Sequence, residues 1–174
     1  NSQESEYSWD GFRANSAYMN LDLAYLYNEN VEVDYIYEIY TNESYPFPRP
    51  PLIMEATFSN KQFIIINNHY KAGGDQDDQD RRYQASLNLK YYIDMFLSNE
   101  HVILLGDLND SLIDSEENNV FWNFISDSDQ YLFVDMEIAQ GSSDYWSHPS
   151  DYGWHSHVDH ILITNELFTE FEKE

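Results

Sequence analysis

The sequence has 174 residues and is strongly acidic: 8 Lys and Arg against 32 Asp and Glu give a formal net charge of −24 at pH 7. Eight cations can barely build the basic face that holds duplex DNA, and an anionic membrane surface would repel the chain. Disordered acidic chains are poor in aromatic residues, whereas 17% of this sequence is Phe, Trp or Tyr and 42% is hydrophobic. A folded domain is therefore expected.

Cysteine is absent, which excludes disulfides and thiolate metal sites. The sequence holds no apolar run of the ~18 residues needed to span a bilayer, so no membrane partner is expected. Scarce cations and abundant Asp, Glu and Asn suit a saline setting in which salt screens self-repulsion. We therefore expect an extracellular or cell-surface location. The start at Asn1 suggests a processed product or the middle of a longer protein.

Two segments interrupt the hydrophobic pattern. Residues 45–51 contain four prolines, which force an extended segment, and residues 73–80 form a flexible acidic loop. Neither is long enough to link two domains. One domain is therefore expected over residues 1–174, with residues 1–20 as a polar lead-in that shows no strand periodicity.

Alternating apolar and polar residues predict the first four strands, in two pairs that are each joined by a short turn. The first pair is residues 21–27 with 31–40, and the second is residues 52–58 with 63–67.

The pattern then changes to a helical period over residues 81–97. Two apolar rows of this helix are predicted to pack on a sheet: Tyr83, Leu87, Tyr91 and Met95, and Ala85, Leu89, Ile93 and Phe96. A buried strand at 101–105, a short helix at 117–126 and a last strand at 158–164 follow. Strands that precede helices favour an α/β layered sandwich over a doubly wound sheet.

Polar side chains follow three of the predicted buried strands. They are Asn67-Asn68-His69, Gly106-Asp107-Leu108-Asn109-Asp110, and His157-Val158-Asp159-His160. Taken singly, each stretch is also compatible with an ordinary turn or strand end. Three such ends in one sheet can converge on one edge, which is where layered α/β enzymes keep their sites.

These three stretches, together with Phe47-Pro48-Arg49-Pro50-Pro51, resemble the motifs of the endonuclease/exonuclease/phosphatase superfamily. The resemblance covers residues 21–168 in the family's order, and it is strongest to the secreted bacterial-type endonuclease-like members, which share an Arg- and Gln-rich helix after the His motif.

The resemblance implies a four-layer α/β/β/α sandwich that hydrolyses phosphodiester bonds, with nucleic acid the expected substrate. It implies Mg²⁺ as the usual ion, with Mn²⁺ or Ca²⁺ as alternatives, and Asp107 and Asn109 at the metal. It assigns His69 to the scissile phosphate, Asp107 to the attacking water, and Asp159 to the orientation of a general-base histidine. The chemistry is consistent, since phosphoryl transfer needs hard oxygen ligands and a donor toward the phosphate.

The sequence departs from the family pattern at both ends. No motif before Asp22 matches the family's metal-binding Glu, since Glu4 and Glu6 lie in a polar segment, and no Ser-Asp-His motif follows residue 168. A domain incomplete at both ends is therefore expected, completed by a further chain segment or by self-assembly. His160 is not expected to replace the base, because adjacent strand residues point to opposite faces.

Two alternatives remain open from the sequence. His155, His157 and Asp159 share one face if this segment is extended, and could then bind Zn²⁺. The chain could also be a non-catalytic surface, matrix or assembly protein that retains the fold, which the net charge of −24 and the departures at both ends favour.

Overall fold

The computed structural model describes residues 7–17, 21–148 and 155–171. Eight strands, one long α-helix and three short α-helices occur in these ranges. The strands are β1 (Trp9–Arg13), β2 (Ala24–Asn28), β3 (Glu32–Glu38), β4 (Leu52–Phe58), β5 (Lys61–His69), β6 (Val102–Asp107), β7 (Tyr131–Phe133) and β8 (Asp159–Thr164). The helices are α1 (Gln76–Phe96), α2 (Trp122–Ile125), α3 (Met136–Gln140) and α4 (Phe168–Phe171).

Six strands form one mixed sheet in the order β3-β4-β5-β6-β8-β7, and β1 and β2 form a separate antiparallel pair. Within the six-stranded sheet, β5 and β6 are parallel, and the other neighbours are antiparallel. The parallel pair requires a crossover, and α1 supplies it between β5 and β6. The predicted α/β layered fold is confirmed.

The main core lies between α1 and one face of the six-stranded sheet. Ala85, Leu89 and Ile93 of α1 pack in one cluster with buried residues of the central strands, which include Ile66 and Leu104. The opposite face of the sheet meets β2, where the Tyr25 hydroxyl lies 2.7 Å from Leu52 O and accepts a hydrogen bond from Asn67 N–H. The helix, the sheet and the β1–β2 pair therefore form successive layers.

Helix α1 is longer than predicted, and neither of its two predicted apolar rows packs completely. The acidic segment that was predicted as a loop forms the first turn of the helix, because the Asp75 side chain caps it by accepting from Asp78 N–H. Tyr83, Tyr91 and Met95 of the first row are exposed, and so is Phe96 of the second row. The prediction that these four side chains pack on the sheet is wrong, because Ala85, Leu89 and Ile93 already fill the contact.

The first predicted strand pair is also only partly right. Strands β2 and β3 lie close to the expected positions, but they belong to different sheets: β2 pairs with β1, and β3 pairs with β4. Strand β1 lies in the segment that was predicted to be a polar lead-in. The helix expected at 117–126 is confined to the four residues of α2.

In the described part of the chain, no helix combines the length and the apolar character that a membrane span requires.

Candidate active site at the ends of β5, β6 and β8

The sheet register places three of the predicted site residues side by side. His69 of β5 pairs with Asp107 of β6, and Asp107 pairs with Asp159 of β8. Directly paired residues of neighbouring strands point to the same face of a sheet, so the three side chains share one surface. His69 Nε2 lies 3.6 Å from Asp107 Oδ2, and about a third of each side chain is exposed (35% and 35%).

Gly106 makes this close pairing of β5 and β6 sterically feasible. Its φ is +134°, and a Cβ at this position would lie 1.9 Å from the backbone oxygen of Asn68. A side chain would therefore push apart the two strands that carry His69 and Asp107. The glycine of the Gly-Asp-x-Asn motif is required by the backbone geometry.

Asn109, the fourth predicted residue, is held in a fixed orientation directly beyond β6. Its backbone has φ +52°, and its N–H donates to Asp107 Oδ1 at 3.1 Å. Its side-chain Nδ2 donates to Tyr70 O at 3.2 Å. Since Nδ2 is used in this way, Oδ1 lies on the opposite edge of the amide group, where it can act as an oxygen ligand.

Arg49 also lies at the site, although the sequence alone assigns it no role. Its guanidinium is half-buried, and Nη1 donates to Tyr70 O at 3.2 Å. Burial lowers the pKa of Arg49, and the negative charge of Asp107 partly offsets this effect. Arg49 stands in the Phe47-Pro48-Arg49-Pro50-Pro51 motif of the resemblance, and it is one of only eight cationic side chains in the sequence.

The electrostatics of the site favour an uncharged His69. Burial lowers the pKa of His69 below its ordinary value of 6.5, and the nearby charge of Arg49 lowers it further. The carboxylates of Asp107 and Asp159 act in the opposite direction without reversing the shift. At neutral pH the imidazole can therefore donate one hydrogen bond without carrying a charge.

Asp110 anchors the loop that follows β6 through an ion pair with Arg82 of α1. Its carboxylate accepts from Arg82 Nε at 2.7 Å, and both side chains are almost fully buried. Arg82 Nη1 also donates to Lys71 O and Gly73 O, both at 2.9 Å. This ion pair ties the loop to α1 and to the segment after β5, and it thereby fixes the positions of Asp107 and Asn109.

His160 lies on the other face of the sheet, as its position next to Asp159 predicts. It pairs with Gly106 and is 1% exposed. Its Nδ1 lies 2.7 Å from Asp135 Oδ2, and His157 Nε2 lies 2.8 Å from the same oxygen. Burial alone would raise the pKa of Asp135, but His160, Ile161 N–H and His157 outweigh it and hold that pKa below its usual range.

The alternative zinc set of His155, His157 and Asp159 is therefore not assembled. His157 contacts Asp135, whereas Asp159 lies beside Asp107 on the opposite face. Asp135 was not identified from the sequence because its partners lie 22 and 25 residues away along the chain. Glu4 and Glu6, which were considered for the metal, lie outside the described residues.

Neither a protein-family model nor a curated protein matches the sequence. The fold, in contrast, is similar to several solved structures. TDP2 from D. rerio, complexed with a single-strand DNA product, matches with a TM-score of 0.63 and 16% identity over 90% of this chain and 62% of that chain. An endonuclease/exonuclease/phosphatase from Bacteroides vulgatus matches with a TM-score of 0.59 and 11% identity over 90% and 65%.

The mannosyl-6-phosphatase Bt3783 from Bacteroides thetaiotaomicron has a TM-score of 0.59 and 13% identity over 90% of this chain and 63% of that chain. At such identities the likeness concerns the fold, and the chain has the endonuclease/exonuclease/phosphatase fold that its four motifs predict. It spans about three fifths of the length of these solved structures.

Proposed function

We propose that this chain acts in the divalent-metal-dependent hydrolysis of phosphodiester bonds, with nucleic acid as the substrate. The observation that carries the proposal is the alignment of His69, Asp107 and Asp159 across three neighbouring strands, with Asn109 fixed beside them. The similarity to TDP2 complexed with a single-strand DNA product supports nucleic acid as the substrate class.

The side chains suit the separate tasks of this reaction. His69 donates a hydrogen bond to a non-bridging phosphate oxygen, where negative charge develops in the transition state. The Asp107 carboxylate accepts a proton from the attacking water and orients it. Asp159 lies on the other side of Asp107 from His69, where it can orient a further group, which the resemblance identifies as a general-base histidine.

The donor set fits a hard divalent cation. Asp107 and Asn109 offer a carboxylate and an amide oxygen, and Mg²⁺ in proteins is commonly bound by one or two carboxylates together with waters and substrate phosphates. Asp107 and Asn109 would hold the ion, and Mg²⁺, Mn²⁺ or Ca²⁺ would supply neutralisation of the phosphate charge. Such an ion also brings a phosphate to a protein that has few cationic side chains.

The proposal is tested by incubating the protein with single-stranded DNA and with bis(p-nitrophenyl) phosphate, with Mg²⁺ or with EDTA. We expect metal-dependent turnover that falls by about 100-fold or more in His69→Ala and in Asp107→Ala. His101→Gln is the matched control, because this histidine precedes β6 at the opposite end of the strand from Asp107. It should retain full activity.

A non-catalytic role is the second candidate, and one observation favours it. On the face of the sheet that carries β2, an apolar groove of about 400 Å³ is lined by Trp9, Leu26, Phe58 and Ile65, among others. An open apolar groove is typical of a surface that binds another chain. Absence of metal-dependent turnover on both substrates would contradict the enzymatic proposal and favour this one.

A further inference from the structure

A cluster of metal-ligating side chains lies on the sheet face opposite the candidate active site. Asp135 follows β7, His157 precedes β8, and His160 lies within β8. Their side chains are 9%, 9% and 0% exposed, and one ligand atom from each lies within 4.8 Å of the others. Three segments of the chain therefore place two imidazoles and one carboxylate around a common point.

The contacts of His160 leave a neutral ring one hydrogen short at this point. Its Nε2 lies 2.9 Å from the backbone oxygen of Asp110, which can only accept, so Nε2 carries a hydrogen. In a neutral ring Nδ1 is then a bare acceptor, yet it faces the Asp135 carboxylate at 2.7 Å. Two acceptors at this distance repel each other unless a metal ion or a second ring proton lies between them.

The outer contacts of the cluster are those of a metal site. Metal-binding histidines usually donate from their second nitrogen to a carbonyl or carboxylate, as His160 does to Asp110 O. The second oxygen of Asp135 is likewise held, by Ile161 N–H at 2.9 Å. A cavity of about 350 Å³ borders the cluster at His157, one of its three members.

We propose that Asp135, His157 and His160 bind one Zn²⁺ ion, with water as the fourth ligand. Two imidazoles and one carboxylate are a ligand set that zinc accepts in tetrahedral geometry. Bonds of about 2.0–2.1 Å place tetrahedral ligand atoms about 3.3 Å apart, so the two short contacts of Asp135 Oδ2 widen by about 0.5 Å when the ion enters.

Binding through His157 Nε2 also requires a change of tautomer. In the structure His157 Nδ1 accepts from Ser147 N–H at 3.3 Å, whereas the zinc-bound ring carries its hydrogen on Nδ1. Ser147 is exposed, so its N–H can turn to water. Through Asp110 O the ion would stabilise the loop that carries Asp107 and Asn109, which makes its role structural and separate from the candidate catalytic metal.

The test is calorimetric titration of metal-free protein with ZnCl₂. We expect one equivalent to bind in the unmodified protein and in His155→Gln, an exposed histidine of the same segment. In His157→Gln the affinity should fall by more than about 10-fold, because even an outer partner of a zinc ligand is worth 10–100-fold. Replacing Zn²⁺ with Co²⁺ should give the intense visible absorption of a tetrahedral site, and this absorption should be absent in His157→Gln.

Zinc can also bind beside His69, and the Asp107→Ala variant separates the two sites. Zinc binding that survives in Asp107→Ala and is lost in His157→Gln supports the proposal. No stoichiometric binding, or binding lost only in Asp107→Ala, overturns it. Circular dichroism verifies folding, and Asp135→Asn provides a second variant with almost unchanged volume. The result does not depend on phosphodiesterase activity.

Discussion

At the scale of single residues, the candidate site depends on backbone geometry as much as on its functional groups. Gly106 allows β5 and β6 to approach, and the left-handed backbone of Asn109 turns its side chain toward Tyr70 O. Neither residue is an acid or a base. Both nevertheless decide where the oxygen atoms of Asp107 and Asn109 lie.

Gly106→Ala is therefore expected to destabilise the protein by about 2–4 kcal/mol, since the new Cβ would collide with Asn68 O and adopt an unfavourable φ. Urea unfolding followed by circular dichroism measures the change. Gly74→Ala is the matched control, because a Cβ there meets no atom within 4 Å. It should leave the free energy of unfolding unchanged or raise it slightly. Equal effects of the two substitutions would contradict the steric argument.

Site residues were predictable from the sequence where a local signal marked them. His69, Asp107 and Asp159 each stand at the end of a hydrophobic strand, and strand ends are recognisable from short segments. Arg49 and Asp135 were not predictable in this way. Arg49 reaches carbonyls 20 and 21 residues away, and Asp135 reaches side chains 22 and 25 residues away, so their neighbours depend on the folded structure.

At the scale of elements, the Arg82–Asp110 ion pair connects α1 with the loop that follows β6. The side chains are 6% and 9% exposed, and Arg82 also satisfies two backbone carbonyls between β5 and α1. The final aspartate of the Gly-Asp-x-Asn-Asp stretch thus has a structural contact, whereas the first faces the candidate active site. Removing either partner would leave a charge buried without its counterion.

We expect Arg82→Ala to lower the free energy of unfolding by about 3–5 kcal/mol, which is the usual cost of removing one partner of a buried ion pair. Lys61→Ala, which removes an exposed ion pair with Glu170, is the control and should cost less than about 1 kcal/mol. Chemical denaturation of both variants checks the difference. An Arg82→Ala variant as stable as Lys61→Ala would show that the buried pair does not anchor the loop.

The elements themselves were largely predictable, but their pairing was not. Alternation identifies β2 and β3 because it is a property of each segment alone. Which strand each one pairs with is decided by residues far away: β2 joins β1, and β3 joins β4. The start of α1 did have a local signal in Asp75, whose side chain caps the helix, but the surrounding acidic residues resembled a solvated loop.

At the scale of the whole molecule, the described residues place two strands, β1 and β2, against a six-stranded sheet. Two apolar side chains remain exposed on the side of the sheet that β2 contacts: Leu26 of β2 is 74% exposed, and Ile161 of β8 is 42% exposed. The chain also spans about three fifths of the solved structures that share its fold. The candidate active site lies at the end of this same face, so any protein segment that covers the face would also border the site.

The net charge of −24 acts on the whole molecule and leads to the last prediction. Self-repulsion of like charges destabilises a compact state, and salt screens it, since the Debye length falls from about 30 Å at 0.01 M to about 3 Å at 1 M. We therefore expect the unfolding temperature to rise by about 5 °C or more between 10 mM and 500 mM NaCl. Differential scanning calorimetry measures this shift.

A triple variant separates charge screening from other effects of salt. Glu116→Gln, Glu117→Gln and Asp129→Asn remove three exposed charges from residues that are not members of the candidate active site. If self-repulsion is the cause, this variant unfolds at a higher temperature than the unmodified protein in 10 mM NaCl and gains less from added salt. An unfolding temperature that does not change with salt in either protein would contradict the argument.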